Sequence, residues 1–188
     1  MITTLLLLPL LAPPVCGEWT EGFRSTKEVR TDARARVRKT CRALGASKEA
    51  CKVLDAMVVR ESRGDPCAVH RIGEGEYGLG VLGLSCKWHR KKWDGECEDF
   101  LIPEVSTVVA IRLYRRAVAR HGAMTWREVQ AVFATGKNTI RPAYDNTWCH
   151  RLKQRGLDCE ADPRGQLGTL LGLSPFAGQV EILERISE

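Results

Sequence analysis

The residues best placed to do chemistry in this 188-residue chain lie in Val58-Val59-Arg60-Glu61-Ser62-Arg63-Gly64-Asp65-Pro66. Upstream, Leu54, Met57 and Val58 recur at helical spacing and mark one apolar face. Glu61 follows Met57 by four residues and Val58 by three, so its side chain shares that face. Gly64 and Pro66 stop the helix just beyond it. A carboxyl held on an apolar surface loses hydration, and desolvation raises its pKa toward the value a general acid needs near neutral pH. The competing reading is a helix-end glutamate that turns to solvent or pairs with Arg60 or Arg63.

Other chemistries are poorly served. The four histidines, His70, His89, His121 and His150, are scattered without ligand spacing, and none of the eight cysteines forms a C-x-x-C pair. No metal site and no cofactor is therefore expected. The glycine-rich stretch from Gly64 to Gly83 lacks the Gly-Lys-Ser/Thr of a phosphate loop; close backbone packing beside a ligand or another segment accounts for it better. Lys87-Trp88-His89-Arg90-Lys91-Lys92-Trp93 admits three readings: a sugar-packing surface, a nucleic-acid surface, or tryptophans folded onto the core with lysines snorkelling.

The elements that would position Glu61 can be read on either side of it. A basic helix is expected from about Thr31 to Leu44, stopped by Gly45, with Ala35, Val37, Cys41 and Leu44 as its thin apolar stripe. Ser47 caps the next helix, which ends at Glu61. The strongest periodicity runs from Pro103 to His121, ended by Gly122; Thr125 caps a further helix from Trp126 to Ala134. Residues 137–149 read as a loop, 146–155 as a short helix and 178–187 as a last amphipathic one. Strand alternation is absent apart from a short candidate near Val81–Leu84.

Residues 1–17 read as a secretory leader, with Leu5–Leu11 too short to span a membrane; lipid attachment at Cys16 is the alternative. The division expected is a leader over 1–17, a basic N-terminal helix and extension over 18–46, a main domain over 47–160 and a tail over 161–188. Export fits the cysteines: Cys41 with Cys51, Cys86 with Cys97 and Cys149 with Cys159 would each staple a local loop, leaving Cys67 free or bonded to Cys16. A net charge of +6 favours a polyanionic partner.

In their order, these pieces resemble the soluble lytic transglycosylase family. Glu61-Ser62-Arg63-Gly64-Asp65-Pro66-Cys67-Ala68 is similar to the family's Glu-Ser-x-x-Asn-Pro-x-Ala, and Gly78-Leu79 looks like the start of its Gly-Leu-Met-Gln. The Pro103–His121 helix resembles the family helix that opens with Pro-Glu and ends with His-Gly. Ala131-Val132-Phe133-Ala134-Thr135-Gly136 is similar to Ala-x-Tyr-Asn-Thr-Gly, and Tyr144 stands where a late family tyrosine occurs. The likeness covers roughly residues 47–152; goose-type lysozymes are near neighbours. Three positions depart from the pattern: Gly80-Val81 replace Met-Gln, Phe133 replaces Tyr and Ala134 replaces Asn.

The resemblance implies a mainly α, lysozyme-like single domain with minimal β structure. It implies Glu61 as catalytic acid/base, with Ser62, Gly78, Leu79, Phe133, Thr135, Gly136 and Tyr144 in substrate binding. The implied partner is the peptidoglycan glycan strand, not nucleic acid. The protein is expected as an exported monomer, periplasmic or extracellular and associated with the cell wall, with no transmembrane span. Glu61 would protonate the oxygen between N-acetylmuramic acid and N-acetylglucosamine, then take the proton of the muramic acid 6-hydroxyl as a 1,6-anhydro ring closes. Hydrolysis in the manner of goose-type lysozymes would need a second carboxylate, for which Glu74, Glu76, Asp94 and Asp99 are in range. A non-catalytic wall-binding protein of the same fold is the remaining alternative.

Overall fold

The structure is a computed structural model and describes residue 16 and residues 25–89, 95–122, 125–135 and 142–167, with backbone alone over 142–146. Helices dominate. They run α1 (Lys27–Ala43), α2 (Lys48–Glu61), a short α3 (Cys86–His89), α4 (Pro103–His121), α5 (Trp126–Thr135) and α6 (Pro142–Lys153). A 3-10 turn over Cys97–Leu101 leads into α4. Between α2 and α3 lies a small antiparallel sheet of β1 (Val69–Gly73), β2 (Glu76–Leu79) and β3 (Leu84–Ser85), in that order.

Local chemistry explains the helix boundaries. Thr26 and Ser47 cap α1 and α2 by accepting from the backbone N–H groups of Val29 and Ala50. Proline opens α4, where its missing N–H is harmless, and Gly122 closes it in the left-handed region at φ 60°. At α5, Thr125 and Glu128 cap each other's backbone N–H groups. The core runs from Ala33 on α1 through α2, the sheet and α4 to Leu152 on α6 and Leu167 beyond it.

The basic helix starts earlier than expected, at Lys27, and is no appendage. Ala33, Val37 and Cys41 are buried in the same core as α2 and α4. Three of its arginines turn inward. Arg36 grips the buried Glu104 of α4 with two bonds of 2.7 and 2.8 Å. Arg34 binds Asp55 of α2 through two bonds of 3.1 and 2.6 Å, and Arg38 adds a third at 3.0 Å. The basic helix thus uses much of its charge to hold α2 and α4. At the other end, Ser47 N–H donates to the Gln166 carbonyl at 2.7 Å and Leu167 is buried, so the start of the expected tail docks on the domain.

The strands were hard to see beforehand. The alternation candidate at Val81–Leu84 is mainly a turn, and the strands before it carry few apolar residues. Register explains them: Val69 pairs with Leu79 and Leu79 with Leu84 on the core face, while His70, Gly78 and Ser85 line up on the other. The segment taken as a loop over 137–149 is helical from Pro142. The expected helix over 178–187 lies outside the described residues.

Four disulfides join the described residues, three of them across local loops. Cys41–Cys51, Cys86–Cys97 and Cys149–Cys159 pair as the spacing suggested, and Cys16 bonds to Cys67, so no described cysteine is free. Of the expected leader, only Cys16 is among the described residues. Its bond to Cys67 is at odds with a leader ending at residue 17 and with lipid attachment at Cys16, since either would take the sulfur out of the bridge. Among the described residues, no helix is long and apolar enough to cross a membrane.

Candidate active site

Glu61 is the last residue of α2, on the helical face that carries the buried Met57 and Val58. Its side chain keeps 22% of its exposure, and Oε1 is buried without a hydrogen-bond partner among the described residues. The nearest cation is Arg60, whose Nε lies 3.8 Å from Oε1, beyond hydrogen-bond length. Burial raises the Glu61 pKa above the ordinary carboxyl range, against the pull of the Arg60 and Arg151 charges. The group is therefore biased toward its protonated form while keeping a face to water.

Neighbouring residues fix that helix end. Ser62 Oγ lies 3.2 Å from the Val58 carbonyl and 2.9 Å from the Val81 carbonyl, and accepts from Gly64 N–H at 3.1 Å. Ser62 thus ties the end of α2 to the turn between β2 and β3. Arg63 takes a left-handed conformation at φ 60°, which turns the chain away from α2. Next comes Asp65, nearly buried, whose carboxylate accepts from Ser25 N–H at 2.9 Å, Ser25 Oγ at 2.6 Å and Cys67 N–H at 2.9 Å. With Cys16–Cys67, this clamps the N-terminal segment beside the loop that leaves Glu61.

The sequence-derived site residues divide into two groups. Glu61 and Ser62 close α2, and Ser62 reaches the Val81 carbonyl in the turn that follows Gly78 and Leu79 of β2. Leu79 is fully buried, so its side chain belongs to the core. Gly80, where the resemblance expects methionine, has φ +70°, and a Cβ there would lie 2.0 Å from the Phe100 carbonyl oxygen. Glycine at this position is a packing requirement of this chain. Val81 is buried and offers only its carbonyl, already used by Ser62.

The second group sits on α5. Phe133 packs edge-on against Tyr114 at 5.5 Å and stacks with His89 at 6.5 Å between ring centres. Thr135 is exposed, its hydroxyl donating to the Ala131 carbonyl at 2.7 Å. Gly136 and the Tyr144 side chain lie outside the described residues. Of the basic tryptophan stretch, Trp88 is 62% exposed with Lys87 Nζ 5.5 Å from its ring centre; residues 90–94 lie outside the described residues.

Two residues near Glu61 escaped the sequence reading. Trp148 of α6 is buried under the Arg60 guanidinium, 5.9 Å from its ring centre, and Arg151 lies one helical turn on. Their three-residue spacing on a helix was the available signal, but nothing local said which helix they would face.

The second carboxylates proposed for hydrolysis are differently placed. Asp99 accepts from Glu96 N–H and caps the 3-10 turn. Glu76 accepts a short hydrogen bond from Ser85 Oγ, and Glu74 is exposed at the hairpin tip. Asp94 lies outside the described residues. Cys149, Cys159 and Glu160 cluster closely enough to suggest metal ligands, but both sulfurs are in one disulfide. Comparison of the chain with protein-family models, curated proteins and solved structures returned no match.

Proposed function

We propose that this protein is a peptidoglycan lytic transglycosylase of lysozyme-like fold, with Glu61 as its single acid/base. The observation that carries the reading is the state of Glu61: a carboxyl on an apolar helix end, one oxygen buried without a hydrogen bond, and a pKa raised by burial. Such a group is protonated closer to neutral pH than a surface glutamate and can donate to a glycosidic oxygen. After donation it is a carboxylate beside Arg60, able to accept the muramic acid 6-hydroxyl proton as the anhydro ring forms.

The commitment of Asp99 to a cap and of Glu76 to Ser85 favours this one-carboxylate scheme over hydrolysis. The four disulfides suit an oxidising compartment, so export to the cell wall belongs to the same reading, as does a glycan rather than nucleic acid as the polymer bound.

A non-catalytic wall-binding protein is the second reading, supported by the buried Val81 and the exposed Ala134 in place of polar residues. Incubation with intact peptidoglycan and mass spectrometry of the released muropeptides separates the cases. The lytic reading expects products lighter by one water than hydrolysis gives, lost in Glu61→Gln. Retained binding without any product selects the second reading.

A further inference from the structure

We propose that Trp148 is a positioning residue for Glu61: its indole face takes the Arg60 guanidinium and keeps that cation from closing on the carboxyl beside it. The inference rests on the acid/base reading above. Arg60 and Glu61 are neighbours at the end of α2, and Trp148 comes from α6, so the three meet where those helices pack.

The distances define the arrangement. Arg60 Cζ lies 5.9 Å from the Trp148 ring centre, within reach of a cation–π contact. Arg60 Nε lies 3.8 Å from Glu61 Oε1, and that oxygen is buried without a hydrogen bond among the described residues. A direct bond would need the guanidinium to travel only about 1 Å. Arg34 and Arg36 do close on their carboxylates, at 2.6–3.1 Å. At Arg60 the guanidinium lies over an aromatic ring instead.

Packing alone is a poor reason for a tryptophan here. The residue is 1% exposed, and its Nε1–H is buried with no acceptor among the described residues. Phenylalanine would fill much of the same space without burying an orphan donor, so the indole carries a cost that burial does not recover. Its π face is the best that any side chain offers to a guanidinium. The ring is also firmly placed. Leu152, one turn along α6, is fully buried. Cys149, next to Trp148, is bonded to Cys159, whose carbonyl accepts from Arg127 N–H of α5 at 3.0 Å.

Among the described residues, the charges acting on Glu61 are Arg60 of its own helix and Arg151 of α6. With Arg60 on the ring, burial outweighs both and the carboxyl keeps its proton to higher pH. An Arg60 released from the ring would form a charge-assisted hydrogen bond with the carboxylate. That bond favours the ionised form and leaves Glu61 without a proton to donate.

The test uses the full disulfide-bonded protein, carbon-13 labelled at the glutamate carboxyls. The Glu61 resonance, assigned by its loss in Glu61→Gln, is followed against pH without substrate. Cleavage of purified peptidoglycan is measured over the same range. Trp148→Leu removes the ring, and the Glu61 midpoint should fall by about one pH unit or more, the scale of a carboxyl beside an arginine. The alkaline limb of the cleavage profile should follow to lower pH, with the rate on that limb down about tenfold. A merely structural loss would lower the rate alike at every pH. Trp148→Phe keeps a ring face and should hold the midpoint near the parent's. With Arg60→Met already in place, Trp148→Leu should leave the midpoint unmoved.

Three results overturn the proposal: a Trp148→Leu midpoint equal to the parent's, a Trp148→Phe midpoint as low as that of Trp148→Leu, or the same fall in the Arg60→Met background. If Trp148→Leu does not fold, the Arg60 Nε–H resonance of the unaltered protein decides. An upfield shift from the indole ring current supports the contact, and an unshifted resonance overturns it. Midpoints that move as expected in a protein that cleaves nothing remove the lytic reading and leave the contact standing; cleavage with unmoved midpoints removes this proposal alone.

Discussion

Two regions of the molecule set carboxylates among arginines and obtain opposite results. Between α1 and its neighbours, Glu104 is held by both arms of Arg36 and Asp55 by Arg34 and Arg38, at 2.6–3.1 Å. Hydrogen bonding to Asp55 raises the Arg34 pKa further, so that contact holds its charge firmly. At the end of α2, Glu61 also has an arginine beside it, but at 3.8 Å and without a hydrogen bond. Desolvation then outweighs the attraction, and the proton stays longer. Distance and direction, more than the identity of the neighbours, separate a carboxylate that fastens helices from one available for proton transfer.

That contrast can be broken in order of expected effect. Glu61→Gln should abolish release of anhydro-muropeptides while leaving the circular dichroism spectrum intact; full activity would remove Glu61 from the chemistry. Arg36→Met should act on the other side. It leaves Glu104 buried without its partner, which costs about 3 kcal/mol and lowers the melting temperature by roughly 6–12 °C. Activity per folded molecule should stay near the parent's, and a folded but inactive Arg36→Met would erase the distinction between the two regions.

Stability against pH gives a finer test. The Glu61 pKa is raised on folding, so the stability of its protonated form is complete below the ordinary glutamate pKa and is lost as pH rises through the folded value. Glu61→Gln cannot ionise. Its melting temperature relative to the parent should climb through that window and then level off; a gap independent of pH would mean that the carboxyl is not held protonated. The smallest effect is expected from Arg151→Met. Removing a charge that favours the carboxylate should raise the Glu61 pKa further and move the alkaline limb of the activity profile to higher pH.

Much of this was legible before any coordinates. The Ser47 cap, the apolar face of α2 and the stop at Gly64 placed Glu61 on a helix end, and Pro103 and Gly122 bounded α4. Local signals sufficed because capping and periodicity are local physics. The sheet was missed because its strands are short and its register, more than its composition, sets its two faces; only pairing with β3 shows why Leu79 faces the core and Gly78 the other side of the sheet. The inward role of Arg34, Arg36 and Arg38 was missed for a related reason. Their partners Asp55 and Glu104 stand on other helices, and charge spacing within α1 says nothing about them. Likewise, His70 looked like a stray histidine until its ring was seen to fill the space that Gly78 and Gly83 leave.

The bond between Cys16 and Cys67 also bears on how the protein should be made. A recombinant chain started at Glu18, just after the expected leader, would lack Cys16 and leave the Cys67 thiol without its partner, six residues after Glu61. Such material invites mispairing with the other bridges and covalent dimers on storage. Secretion of a chain that keeps Cys16, or refolding under a thiol–disulfide buffer, preserves the bridge next to the residue whose activity is being measured.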